Sequence, residues 1–345
     1  YAKNKFSVSA DHITEMVRQQ IYSEFKENTY NIGLTVFTTI RAKEQQIANK
    51  VLNKAIIDFT LKEGFKGPEG FVTLPKDKNK IDFVIKDTLS KSFKVKNLPA
   101  AVVTRIGKNK LFLISENQKK ITVRNSKNLK KFLKTSTLKK NRLRVGSIVR
   151  IVKSKKNNEF NLTQIPEVEG ALIAIQTKNG AIRALVGGFD FNLNKYNRVT
   201  QAYRQPGSAL KPFIFGAALE RGFSSNTFVN DLPVNFSPES TGGVLWKPKN
   251  FNDIYLGPIT VKEALTKSQN MVSIRMVKEI TPQFAQNYIK RFGFEPSRNP
   301  PYFTLALGAG AVTPLQLAVG YSMIANGGYY IKPHFIDRIV DANGR

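Results

Sequence analysis

Ser208 and Lys211 stand three residues apart in RQPGSALKPF (204–213), directly after a Gln-Pro-Gly turn and before the apolar run FIFGAAL. Side chains at i and i+3 of a helix share one face, with Cβ atoms roughly 5–6 Å apart, so this hydroxyl and this amine can touch. A serine hydroxyl is a poor nucleophile until a base takes its proton, and Lys211 is the candidate base. Making a lysine mostly neutral at pH 7 takes roughly 4 kcal/mol, which burial and a neighbouring positive charge can supply. The plainer alternative is a capping serine followed by a lysine whose head reaches water. Ser-x-x-Lys occurs twice more, at Ser23 with Lys26 on a charged helix face and at Ser136 with Lys139 in a basic connection. Only Ser208 has a glycine-containing turn before it and an apolar helix after it. Pro212 supports a helix start at this point, because proline is tolerated near a helix beginning and is costly further in. A second polar set, KSQN (267–270), puts Ser268 and Asn270 between two helical runs. Ser-x-Asn also begins at Ser115, Ser126, Ser224 and Ser297, mostly turn residues.

The elements that must hold these residues follow from periodicity. DHITEMVRQQIYSEF (11–25) repeats apolar residues at helical spacing, with Asp11 as an expected N-cap. LTVFTTI (34–40) reads as a strand, and RAKEQQIANKVLNKAIIDFTLKEG as an amphipathic helix ending near Gly64. Between 66 and 165 five short β-type segments, AAVVTRI, KLFLIS, KITVR, SIVRIV and EFNLTQI, fit a small barrel of the OB type. GALIAIQT and AIRALVGG flank KNG (178–180) as a hairpin. Helices are expected near Ser208 and over VKEALTKS, MVSIRMVKEI, TPQFAQNYIKRFG and TPLQLAVGYSMIANGG, with Pro282 and Pro314 at first helical positions. A hairpin followed by helices is an α+β arrangement whose sheet needs further strands.

The chain of 345 residues suggests two or three domains, and 41% hydrophobic content is enough to fill them. Of its formal net charge of +29, residues 66–165 carry +20, so the excess marks a basic middle domain between 1–65 and 166–345. Zero cysteines exclude disulfides and cysteine nucleophiles, and two histidines leave little for a zinc site, so neither metal nor cofactor is expected. The chain holds no membrane-length apolar run and does not begin with Met, which suggests a piece of something longer. A basic OB module could bind a polyanion, but residues 66–165 contain six Phe and no Tyr or Trp, several of the Phe at inward positions. Nucleic acid is therefore not expected; anionic lipid or a wall polymer is.

Taken together, PEVEGALIAIQTKNGAIRALVGGFDF, YNRVTQAYRQPGSALKPFIFGAALERGF, WKPKN, EALTKSQNMVSIR, RFGFEP and LALGAGAVTPLQLAVGYSMIANGGYYIKPHFI make residues 166–345 resemble the transpeptidase domain of class A penicillin-binding proteins. These are bacterial cell-wall synthases, and the resemblance is to their 1A branch. It implies a serine β-lactamase-like α/β domain, a linker over 1–65 and an OB-like domain over 66–165. It further implies a D,D-transpeptidase: Ser208 attacks the carbonyl between two D-alanines of a peptidoglycan stem peptide, and an amine of a neighbouring stem resolves the acyl-enzyme into a cross-link. β-Lactams would trap Ser208. By the same resemblance Lys211 is the base, Ser268 relays a proton to the leaving nitrogen, Asn270 holds substrate and Lys211 in register, and Trp246 and Asn250 of WKPKN contact substrate. A place on the periplasmic side of the inner membrane, through an N-terminal anchor and glycosyltransferase domain outside this chain, is implied too. The family's third motif, Lys-Thr-Gly or Lys-Ser-Gly, occurs nowhere in the sequence, so the domain is expected to be truncated and the chain alone inactive. A D,D-carboxypeptidase or β-lactamase-like serine hydrolase is the near rival.

Overall fold

The computed structural model describes residues 8–342 and 344, except 108–109, 125–141, 155–158 and 238–244. The basic connection, with Ser126, Ser136 and Lys139, lies almost wholly outside the described residues. Helix α1 (Asp11–Phe25) buries Ile13 and Ile21. Asp11 is already helical, not the N-cap, and its carboxylate accepts from the Ser9 hydroxyl at 2.7 Å. Strand β1 (Thr35–Thr38) and helix α2 (Ala42–Glu63) follow as the sequence predicts. In α2 the buried Ala48, Leu52 and Ile56 repeat at four residues, the stripe of an amphipathic helix.

Two compact units divide the chain: residues 1–12, 45–171 and 186–196 form the first, and 13–44, 172–185 and 197–345 the second. Residues 1–65 are therefore not a unit of their own but are shared between both.

The first unit is built on β2 (Gly70–Phe71), α3 (Lys78–Ser90), β3 (Ala100–Gly107), β4 (Lys110–Ser115), β5 (Lys120–Arg124), β6 (Ser147–Lys153) and β7 (Phe160–Thr163). The order is β2-β6-β3-β4-β5, with β7 also on β6, and each pair is antiparallel. The five predicted strands are all present. Among the described residues they do not close into a barrel, because no ladder joins β5 to β7. The unbroken apolar run at the start of β3 has a reason. Ala101 and Val103 join one apolar cluster with Leu111, Leu113 and Ile151, while Ala100 and Val102 join another with Ile85 and Leu89 of α3. A strand covered on both faces loses its alternation. Arg150, buried inside this unit at 1% exposure, donates to both carboxylate oxygens of Glu69 at 2.6 and 2.7 Å and to the Leu98 carbonyl at 3.1 Å.

In the second unit the predicted hairpin is β8 (Leu172–Ile175) and β9 (Ile182–Val186). Gly180 holds φ at +80°, and a Cβ there would lie 2.4 Å from the Lys332 carbonyl oxygen, so the turn admits only glycine. The further strands come from distant sequence. His334 exchanges backbone hydrogen bonds with Gly180 and Ile182, Thr39 donates to Phe335, and β12 (Ile336–Val340) pairs antiparallel with β1. The helices are α4 (Arg198–Gln201), α5 (Lys211–Glu220), α6 (Val261–Thr266), α7 (Asn270–Ile280), α8 (Pro282–Lys290) and α9 (Pro314–Ala325). Pro282 and Pro314 stand at their helix starts, the latter in a capping box of Thr313 and Gln316. A short pair, β10 (Phe228–Asp231) and β11 (Gly257–Thr260), lies between α5 and α6 in sequence. Phe213, Ile214, Met271, Ile274, Ile289 and Phe294 form the core that fixes α5, α7 and α8 to one another.

Candidate active site

Ser208 does not begin an α-helix; it lies in a 3-10 turn, Gly207–Leu210, that runs without a break into α5. The tighter turn separates the two side chains in depth. Ser208 is exposed, whereas Lys211 is 1% exposed and anchored among core residues. From the other side Gly308 closes on the turn: its φ is +68°, and a Cβ would come within 2.1 Å of the Gly207 carbonyl oxygen. The Tyr321 hydroxyl donates to the Ala209 carbonyl at 2.9 Å and fixes the same turn.

The second arm is the connection from α6 to α7. Its backbone reverses at Ser268, whose φ of +55° is left-handed for a residue with a Cβ. Such a residue carries a strain of about 1–2 kcal/mol. The outcome of that reversal is chemical, because Ser268 offers both its carbonyl and its hydroxyl to Lys211. The amine donates to Ser268 O, to Ser268 Oγ at 3.2 Å and to Asn270 Oδ1 at 2.7 Å. Asn270 is itself oriented, its Nδ2 donating to the Lys249 carbonyl at 2.8 Å.

All three donors of the ammonium are thereby used, and no hydrogen bond joins Lys211 Nζ to Ser208 Oγ, so the expected direct contact is absent. Burial pushes the Lys211 amine down to about 8, a fall that the Asp231 carboxylate opposes. At pH 7 about a tenth of the amines are then neutral. Two of the three partners, the Ser268 carbonyl and Asn270 Oδ1, can only accept. The Ser268 hydroxyl alone can reverse its bond and donate to a neutral amine, which makes Lys211–Ser268 a pair able to pass a proton.

Ser208, Ser268 and Asn270 line one cleft of about 640 Å³ with Phe251, Asn252, Ile254, Leu256, Lys267 and Gln269. Because both serines are exposed, this cleft is open to water at its mouth, while Lys211 behind them is buried.

Neither WKPKN residue lines the cleft. Trp246 stacks on Phe236 at 5.1 Å between centroids, at the rim of the core. Asn250 is buried, and its amide is spoken for. Nδ2 donates to Asp231 Oδ1 and Oδ2 at 2.9 and 3.1 Å and to the Ile254 carbonyl at 2.9 Å; Oδ1 accepts from the Asn270 and Met271 backbone N–H groups at 2.9 and 3.2 Å. As a substrate contact Asn250 is thus replaced by a support for the start of α7. Sequence reasoning missed Asp231 and Gly308. Asp231 left one signal, a carboxylate ending a β-type segment, and Gly308 left only its residue type.

With the geometry established, comparison places the chain. Residues 170–345 match the penicillin binding protein transpeptidase domain, and residues 65–168 the penicillin-binding protein OB-like domain. Penicillin-binding protein 1A of Neisseria lactamica is 39% identical over 346 residues, covering 99% of this chain and 43% of that protein. The counterpart from Pseudomonas aeruginosa is 36% identical, covering 98% of this chain and 41% of its own length. The crystal structure of penicillin-binding protein 1A from Haemophilus influenzae superimposes with a TM-score of 0.88 at 34% identity, covering 99% of this chain and 50% of that one. The chain therefore spans less than half the length of these curated relatives, and it belongs to the class A penicillin-binding proteins, with the OB-like and transpeptidase domains of the 1A type.

Proposed function

We propose that this chain carries the acyl-transfer centre of a peptidoglycan D,D-transpeptidase and β-lactam target, working through Ser208. The observation that supports this best is the buried Lys211 amine, held on Ser268 and Asn270 behind a cleft that Ser208 also lines. Ser208 Oγ forms a bond to the carbonyl carbon between the two D-alanines as its proton leaves toward neutral Lys211. The C–N bond breaks, and Ser268 passes the proton from Lys211 to the departing nitrogen, releasing D-alanine. An amine of a neighbouring stem then attacks the ester; its proton returns along the same route to Ser208 Oγ, and the cross-link is free. A β-lactam opens its ring in the first step and stays on Ser208. Of the two WKPKN residues expected to contact substrate, only Trp246, half-buried against Phe236, keeps surface that could meet a long substrate.

Among the described residues no helix is long and apolar enough to cross a bilayer. We propose a periplasmic location at the inner membrane through a segment outside this chain, where an anchor and glycosyltransferase domain complete a two-activity synthase. The sequence holds no Lys-Thr-Gly or Lys-Ser-Gly, so the oxyanion and substrate carboxylate lack that motif's donors here. Peptide mapping after incubation with a fluorescent penicillin tests the reading. The adduct belongs on Ser208 in a protein extended through that motif and is missing from residues 1–345 alone; an adduct on another residue would refute it.

The first unit supports an added role. Lys110 and Arg124 lie directly opposite on β4 and β5, both exposed, and the Arg105 guanidinium sits 3.8 Å over the Phe112 ring beside them. Like charges opposed across a ladder cost stability, which favours an anionic lipid or wall-polymer contact at this face. Binding to anionic vesicles that weakens with salt is expected, and binding that ignores salt would count against it.

A further inference from the structure

Asp231 ends β10 with 0% exposure, and among the described residues no cation pairs with it. Its carboxylate accepts only neutral donors: Asn250 Nδ2 on both oxygens, and the Leu256 backbone N–H at 3.1 Å. An isolated carboxylate in an apolar interior is costly unless something compensates it. The nearest compensation along the hydrogen-bond path is Lys211, reached through Asn250 and then Asn270. The path is directional. An acceptor on the Asp231 side forces Asn250 to present its NH2 there, so its Oδ1 must face the first N–H groups of α7. That bond locates Asn270, whose Oδ1 then lies 2.7 Å from the Lys211 amine. The Lys249 carbonyl, one residue before Asn250, orients the other end of the Asn270 amide.

We propose that Asp231 is the positioning residue behind Lys211: through Asn250 it fixes Ser268 and Asn270 against the amine, and it is the buried counter-charge to that amine. Other charged groups on the surrounding elements are engaged elsewhere or face water. Lys249 pairs with Asp253, Lys267 with Glu263 and Arg291 with Glu220, and Arg275 donates to the Leu232 and Pro233 carbonyls. Lys262, Lys278, Glu279 and Lys290 are exposed, and Tyr288 packs at Gly216, further along α5. Burial lowers the Lys211 amine, and the Asp231 carboxylate opposes that fall.

The inference rests on the acyl-transfer reading for its consequence and for the acylation arm of its test, but not for the Lys211 titration. The Lys211 amine is titrated by NMR in lysine-labelled protein, and acylation by a fluorescent penicillin is followed in the form extended through the third motif. In Asp231→Asn the Lys211 titration moves to lower pH by roughly half a unit or more, while the acylation plateau falls about tenfold. An unmoved titration overturns the proposal, whatever happens to stability. Should Asp231→Asn not fold, Asn250→Ala decides. It keeps the carboxylate but cuts the path, so the plateau falls about tenfold; an unchanged plateau overturns the positioning role. If Ser208 takes no adduct even in the unsubstituted protein while the Lys211 shift is present, the reading of function fails and the coupling of Asp231 to Lys211 stands.

Discussion

Two cations are buried to the same degree in the two units, and they are held in opposite ways. Arg150 in the first unit and Lys211 in the second are each 1% exposed. Arg150 meets a carboxylate in a two-pronged ion pair, the arrangement that offsets the loss of water around a charge. Lys211 meets three uncharged oxygens, and its carboxylate, Asp231, is held off behind Asn250. Guanidinium cannot give up its proton within the range where proteins fold, so direct pairing costs Arg150 nothing in chemistry. An amine that must become a base would be fixed in its charged form by such a partner. On the proposed function, the contrast separates a charge kept for structure from a charge kept for reaction.

The largest test of that contrast is Lys211→Arg. It preserves charge and length but removes the removable proton, and acylation of Ser208 in the extended protein should fall by about 10³-fold or more. A variant that acylates within tenfold of the original would erase the distinction. Arg150→Met should act on stability instead, lowering the free energy of unfolding by about 3 kcal/mol because Glu69 loses its partner, as read from the urea midpoint. Ser268→Ala should slow acylation about 100-fold, since the amine keeps its two one-way acceptors and loses the partner that can return a proton.

The smallest effect carries the sharpest sign. Lys211 has its amine lowered to about 8 from an ordinary 10.5. Below about 8 the folded amine is charged and desolvated, so the cost of burying it is fully present; it fades as pH rises toward 10.5, where the unfolded amine also loses its proton. Relative to its effect at pH 10.5, Lys211→Met should therefore show a gain of about 1–2 kcal/mol of stability at pH 7, set against a loss from leaving Asp231 without its counter-charge, and that relative gain should shrink between pH 8 and 10.5 in urea melts. A gain that does not change with pH would assign the effect to packing alone.

Much of this was legible in the sequence, and the rest was hidden for definable reasons. Ser208, Lys211, Ser268 and Asn270 carried local context, a turn before a helix and a polar break between helices, and the fold brings the last three into direct contact. Five of the six strands described in the first unit were visible in their β-type runs; the two-residue β2 was not. Helix α3 was overlooked although Ile81, Ile85 and Leu89 repeat at helical spacing behind the Asp77 cap, because Val84 and Ile85 also suit a strand. Strand β12 could not be recognised alone: it is defined by pairing with β1, some 300 residues away. The role of Asn250 was hidden for a similar reason, since an asparagine in a turn and one that caps a helix 20 residues downstream read alike until the chain folds. Asp231 was invisible because burial, not residue type, gives it meaning.

The most direct test of the account is the acylation rate of Ser208 as a function of pH, measured in the extended protein with the adduct mapped at each end of the range. A rate that climbs through a midpoint near 8, the value to which Lys211 is lowered, is the predicted result. A rate that stays level from pH 6 to 10 would mean that neutral Lys211 does not activate the serine, whatever its geometry.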